Sequence, residues 1–220
     1  MLYHRWEYSV TADETVVVQP DGCRDLILVS RQGEPDAIRM TEWDSQPQVV
    51  HLQAGTKLFG YRLSPGTTIA STVLTNEKLS SATLEEMIES KATGNTEIFE
   101  LIDALARSNS TVEQVARQSG RTARTLQRHF RGLSLPSPDY WRLLGRARRS
   151  VRALPCRVPL AEIAHEYGYS DQAHMTREFV RWFGSSPSRL RQDRDSISGF
   201  DQPGLGNWLN ESRSELGDQF

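Results

Sequence analysis

Sixteen arginines and no lysine stand between Thr111 and Arg194, against seven acidic residues, a formal balance of +9. The rest of the 220-residue chain carries −11, so the net charge of −2 conceals a basic module in acidic surroundings. Guanidinium groups donate forked hydrogen bonds that match phosphate oxygens and guanine edges. A compact arginine-rich stretch is therefore the electrostatic footprint of a polyanion binder. Charge alone leaves open a merely solvated basic surface, or one that answers the acidic remainder of the chain.

The spacing inside the basic module is more informative than its charge. TVEQVARQSGRTARTLQRHFR (Thr111–Arg131) and PLAEIAHEYGYSDQAHMTREFVR (Pro159–Arg181) are two copies of one pattern. Val112, Val115, Ala116 and Gly120 meet Leu160, Ile163, Ala164 and Gly168 at an offset of 48. Leu126, Arg128 and Phe130 meet Met175, Arg177 and Phe179 at an offset of 49, so the second copy has one extra residue in its turn. Each copy reads as a short helix, a glycine turn and a second helix. Thr111 and Gln114 form a capping box, and Thr122 and Ser170 are the expected N-caps of the second helices. This is a tandem helix-turn-helix signature.

The second helix of each copy sorts by face. Leu126 and Phe130 form one apolar stripe; Arg124, Gln127, Arg128 and Arg131 spread over the opposite side. Met175, Phe179 and Phe183 form the other stripe, with Gln172 at the helix start, Ala173, His174, Arg177 and Arg181 facing away and Thr176 on the flank. The stripes are expected in the core. The outward residues suit base and phosphate contact: arginine for guanine O6 and N7, glutamine for adenine N6 and N7, Ala173 and Thr176 for a thymine methyl. An amphipathic helix with a solvated face is the plainer alternative.

These helices need elements to position them. Between the copies, Ser137-Pro138 opens a helix with Pro at its first position. Tyr140, Leu143, Leu144, Ala147, Val151 and Leu154 are its expected buried stripe. About 16 residues make a strut of roughly 24 Å, against major-groove segments that recur every ~34–36 Å. Arg142, Arg146, Arg148, Arg149 and Arg152 on it reach phosphate or solvate the strut. Residues 1–80 read as a small β-rich domain, with strands at Glu14–Gln19, Arg24–Ser30, Gln48–Leu52 and Leu58–Leu63 between turn clusters at Pro20-Asp21-Gly22, Gly33–Asp36, Ala54-Gly55 and Pro65-Gly66. Residues 81–108 form a helical connector, with a capping box at Thr83–Glu86 and a second helix from Asn95. It either packs on its neighbours or offers a dimer face. Residues 195–220, rich in Gly, Ser, Asp and Asn, read as a flexible tail with one short packed stretch near Trp208. The fold class expected is α+β, a small antiparallel β domain followed by an all-α domain of two helix-turn-helix units joined by a long linker helix.

At this point a resemblance becomes specific. Residues 111–191 resemble the DNA-binding domain of the AraC/XylS family of bacterial transcription regulators, most closely in IAHEYGYSDQAHMTREFVRWFGSSPSRLR. The family fold is two helix-turn-helix subdomains joined by a long helix. The resemblance places the reading positions on Arg124, Gln127 and Arg128, and on Gln172, Ala173, His174, Thr176 and Arg177. The sequence departs from the pattern at Met175, where an aromatic is usual, at Leu190 in place of Tyr, and at Leu135-Pro136, where a Gly is usual. PDGCRDLILV (Pro20–Val29) and GYRLSPG (Gly60–Gly66) are similar to a cupin-like domain that precedes this module in some members, although about 75 residues is short for a complete barrel. The resemblance implies double-stranded DNA as partner, contact with RNA polymerase, a lean towards activation, and a small-molecule effector or a homodimer through the β domain. Trp6, Trp43, His51, Tyr61 and Arg62 are the candidate lining of an effector pocket, with half-buried sheet residues as the alternative.

Other classes fit less well. No run of about 18 apolar residues marks a membrane span, and residues 1–10 lack a signal peptide's apolar core. Cys23 and Cys156 are too few for a disulfide framework or zinc site, and the expectation is a cytoplasmic protein with reduced thiols. The five histidines have no metal-ligand spacing and no glycine pair forms a phosphate loop, so no enzyme and no cofactor are expected. A non-specific or architectural nucleic-acid binder remains the alternative, separated by its lack of a specificity ratio at physiological salt.

Overall fold

The computed structural model describes residues 2–69, 81–92, 96–107, 109–193, 197 and 199–208. The chain divides into two compact units: 1–18, 23–43 and 48–99 form one, and 19–22, 44–47 and 100–220 the other.

In the first unit, alternating apolar residues build six strands: β1 Tyr3–Ser9, β2 Glu14–Val18, β3 Arg24–Arg31, β4 Ala37–Met40, β5 Gln48–Leu52 and β6 Thr56–Leu63. They form an open antiparallel sheet in the order β1-β6-β3-β4 and a separate two-stranded ribbon, β2-β5. The four strands read from the sequence are present. β1 and β4 escaped that reading: β1 interrupts its aromatics with Arg5 and Glu7, and four residues of β4 are too few to show a period. The turn glycines Gly22, Gly33, Gly55 and Gly66 all have positive φ, a conformation that costs glycine nothing. One sheet face carries Leu26, Leu28, Tyr61 and Leu63. Helix α1 (Ser81–Lys91) covers it with Leu84 and Ile88, both fully buried. Burial of each such side chain stabilises by about 1.5–3 kcal/mol. The side chain of Thr83, and residue 95, lie outside the described residues, so both helix-start readings there do too.

The second unit is helical: α2 (Thr96–Arg107, from Glu100 on), α3 (Val112–Gln118), α4 (Ala123–Gly132), α5 (Pro138–Arg152), α6 (Leu160–Glu166), α7 (Gln172–Phe183) and α8 (Pro187–Gln192). The strut α5 is its centre, touching α3, α4, α7 and a 3-10 turn at Gly199–Asp201. Its buried stripe is Trp141, Leu144, Ala147 and Val151, and Leu154 is buried just past its end. Tyr140 and Leu143 are only half-buried; Trp141, which the periodic reading passed over, takes the core position. Trp141 lies edge-on to Tyr140 at 5.1 Å, and Tyr140 lies edge-on to Trp182 at 5.6 Å.

The tail is corrected over its first part. Phe200, Leu205 and Trp208 are buried, and Phe200 packs edge-on against Phe183 at 4.8 Å. Polar composition misled here because three apolar anchors, spaced irregularly, carry no period. Residues 209–220 lie outside the described residues.

Gly145 sets how closely α2 approaches α5. A Cβ there would lie 2.6 Å from Ala106 Cα and 2.8 Å from its Cβ, among backbone atoms that cannot yield. Gly132 in α4 faces open space. Gly145→Ala is therefore expected to destabilise by about 1–3 kcal/mol through overpacking, against alanine's helix advantage of ~1 kcal/mol. Gly132→Ala is expected to be neutral or stabilising. Urea unfolding of both variants checks the pair, and equal shifts would remove the close approach as the cause.

Candidate nucleic-acid interface

The repeat is visible in the hydrogen bonds. In the first copy Gly120 N–H donates to Arg117 O at 3.0 Å and Arg121 N–H to Ala116 O at 2.7 Å. In the second, 48 residues on, Gly168 N–H donates to His165 O at 3.1 Å and Tyr169 N–H to Ala164 O at 2.9 Å. Gly120 and Gly168 have φ of 70° and 74°, the left-handed turn that ends a helix with its carbonyls satisfied. The capping box closes in full on α3: Thr111 N–H donates to Gln114 Oε1 at 2.7 Å, and Gln114 N–H to Thr111 Oγ1 at 3.3 Å.

The N-caps of the second helices differ from expectation in one case. Thr122 caps α4, its hydroxyl accepting from Thr125 N–H at 3.2 Å. Asp171, not Ser170, caps α7, accepting from His174 N–H at 2.6 Å. The extra residue of the second turn displaces the cap by one. The turn after each second helix also shifts: Gly184 takes the left-handed position after α7, and Ser134, φ 56°, takes it after α4.

Both apolar stripes are core: Leu126 and Phe130 on α4, and Met175, Phe179 and Phe183 on α7, joined by Trp182. Arg124, Gln127, Arg128 and Arg131 are exposed on α4; Gln172, Ala173, Arg177 and Arg181 are exposed on α7, with His174 and Thr176 half-buried. Thr176 Oγ1 donates to Gln172 O at 2.9 Å, which occupies its hydroxyl proton. Arg181 lies 5.1 Å over the Trp182 ring and 3.9 Å from Glu178. Thr125, exposed on α4, was passed over; the offset of 49 pairs it with His174.

The strut arginines do not all face outward. Arg148 is 3% exposed and donates to four backbone oxygens, of Leu205 at 3.2 Å, Pro20 and Phe200 at 3.4 Å, and Gln202 at 3.5 Å. Arg152 donates to Phe200 O at 3.2 Å. Arg146, 8% exposed, donates to Gly168 O at 3.1 Å, stacks 4.3 Å over Tyr169 and lies 3.7 Å from Glu178. Arg149 donates to Asn109 Oδ1 at 3.1 Å, and burial pushes its guanidinium pKa down. Arg146 and Arg148 are thus structural, and the reading of them as phosphate-reaching is corrected. Arg142 pairs with Asp139 at 2.9 Å.

In the first unit the five candidate pocket residues do not come together. Trp6 Nε1–H and Arg62 Nε–H converge on Asp25 Oδ1 at 2.8 and 3.3 Å, with Gly60 leaving room for the Trp6 ring. Tyr61, next along β6 and so on the opposite sheet face, is buried in the core against Tyr3. His51 Nδ1 meets Thr15 Oγ1 at 2.9 Å on the β2-β5 ribbon, and Trp43 lies under Arg24 at 4.8 Å.

Two helix-turn-helix units on one central helix define a DNA-binding module. Residues 115–193 match the family model of the helix-turn-helix domain. That segment is similar to helix-turn-helix domains, a DNA-binding class of fold. The chain is similar to ToxT from Vibrio cholerae at 7% identity and TM-score 0.45, over 87% of this chain and 98% of that one. ToxT with an unsaturated fatty acid bound gives 9% and 0.44, over 86% and 95%. The transcriptional regulator CdpR from Pseudomonas aeruginosa gives 22% and 0.39, over 63% of this chain and 46% of that one. No curated protein matches the chain. Among the described residues, no helix is long and apolar enough to cross a membrane.

The division of arginines is testable by melting. Arg148→Ala is expected to cost roughly 2–5 kcal/mol, because it strips donors from buried carbonyls. Arg128→Ala, on an exposed face, should stay within about 0.5 kcal/mol of the wild type. Ser134→Gly should stabilise by ~1 kcal/mol, relieving a left-handed non-glycine residue. Differential scanning calorimetry of the three variants reads all of this.

Proposed function

We propose that the protein is a sequence-specific transcription regulator that reads adjacent major-groove segments of double-stranded DNA with α4 and α7. The observation that carries this is the duplicated turn: the same hydrogen bonds in both copies present two helices, each buried by its stripe and exposed along a face whose residue types suit base and phosphate contact. Arg124, Gln127, Arg128 and Arg131 contact DNA from α4. Gln172, Ala173, His174, Thr176, Arg177 and Arg181 do so from α7. The β-rich unit receives a small-molecule signal or pairs subunits, and the bound protein activates through contact with RNA polymerase in the cytoplasm. Of the candidate effector residues, Trp6 and Arg62, gathered on Asp25, are the pair best placed to act together.

Selection of random duplexes by the full chain at near-physiological salt tests the reading. The expected result is a long enriched site with two boxes about one helical turn apart. Salt-sensitive binding with no enrichment would favour an architectural binder instead. On an enriched site, Arg128→Ala and Arg177→Ala should each weaken specific binding by roughly 1–3 kcal/mol, more than they weaken binding to random duplex. Equal losses on both DNAs, read by fluorescence anisotropy, would reassign the two residues to phosphate.

A further inference from the structure

We propose that His174 is a specificity-determining residue that reads a hydrogen-bond acceptor on a base edge, guanine before the others, through Nε2–H, its polarity fixed by the Ser170 main chain. The proposal rests on the DNA-reading function above. Ser170 N–H points at His174 Nδ1 at 3.3 Å, and Ser170 Oγ lies 3.0 Å from the same nitrogen. A backbone amide can only donate, so Nδ1 must accept. A neutral imidazole that accepts at Nδ1 carries its proton on Nε2.

The ring has one further contact. It stands edge-on to Tyr169, with centroids 5.5 Å apart and planes at 89°. Tyr169 is itself fixed: it is buried, its hydroxyl is 3.1 Å from Ser150 Oγ, and Arg146 covers its face. The His174 backbone N–H is taken by Asp171 Oδ1. A rigid donor therefore sits at the third residue of α7, beside exposed Gln172 and one turn from Arg177. Little freedom is left to lose on binding.

In the major groove guanine N7 and O6, adenine N7 and thymine O4 accept, whereas cytosine N4 donates. Guanine offers two acceptors to the Nε2–H, and cytosine would set donor against donor. Thr125, the counterpart on α4, has a hydroxyl that both donates and accepts and so imposes no such polarity.

The test is duplex selection with the full-length wild type, His174→Ala and His174→Gln, together with the ¹⁵N spectrum of the imidazole in the free protein. The spectrum should show the Nε2–H form; the Nδ1–H form would overturn the proposal. The wild type should exclude cytosine from one strand at one base pair. His174→Ala should lose roughly tenfold discrimination at that pair alone, and His174→Gln, which still extends a donor, should keep part of it. Unchanged preference, a preference for cytosine, or uniform weakening on every sequence would each refute the role of His174 while leaving the DNA-reading function standing. No enrichment by any of the three proteins would sink that function, and this proposal with it.

Discussion

A guanidinium taken out of water must find acceptors for its N–H groups or it destabilises whatever surrounds it. The helical unit meets that constraint twice on one helix, and much of its architecture follows. Arg148 is surrounded by the carbonyls of Pro20, Phe200, Gln202 and Leu205. Those carbonyls can converge only because the chain from Gly199 to Trp208 is folded back onto α5, and the 19–22 turn meets it there: Leu205 N–H donates to Asp21 O at 2.7 Å. Two glycines allow the crowding. A Cβ on Gly204 would lie 2.8 Å from the Arg148 guanidinium, and one on Gly22 would lie 2.8 Å from Leu205 Cβ.

Arg146 does the same service for the second helix-turn-helix unit. Its donor reaches the carbonyl of Gly168, the residue whose left-handed conformation makes the turn, and its face lies on Tyr169, the residue after it. The strut thereby fixes the turn from which α7 departs. The first helix-turn-helix unit uses a local donor instead, Arg121 Nη1 to Ser119 O at 3.3 Å, with its closed capping box and its N-cap, Thr122. Two copies of one sequence pattern thus reach the same turn geometry by different supports.

What the sequence made legible was whatever repeats or alternates. The offsets of 48 and 49 located both turns, the buried stripes of α4 and α7, and the exposed faces opposite them. The glycine turns located the breaks between strands, and Gly33 the one hairpin among the described residues, β3-β4. What escaped was decided by contacts between residues distant in sequence. Nothing in a helical period says that Arg146 and Arg148 point inward, because their acceptors come from residues 20, 168 and 200–205. Trp141 was passed over for Tyr140 because both are aromatic and adjacent, and only packing against α5's neighbours chooses between them. Tyr61 and Arg62 were grouped as pocket residues although neighbouring positions on a strand face opposite ways; the alternation was available and outweighed by chemical type. The cap at Asp171 was one residue from where it was sought, though the insertion that moves it was already visible in the change of offset.

Withdrawing Arg146 and Arg148 from the outward charge changes what the basic module can do. Its excess of arginine is partly internal, so fewer phosphate contacts are available than the count of sixteen implies, and the exposed remainder is unevenly shared. On α4 the outward face holds Arg124, Arg128 and Arg131 with a single amide, Gln127: long cations that gain affinity from counterion release and lose it with salt. On α7 it holds Gln172, Ala173, His174 and Thr176 beside Arg177 and Arg181. These are shorter or pinned groups, two of them tied to neighbours by hydrogen bonds before any partner arrives. Pinned groups add little to grip and much to discrimination, since a base that mismatches their fixed donors and acceptors cannot be accommodated by a change of rotamer. Under the proposed DNA-reading function, α4 would supply most of the attraction and α7 most of the choice.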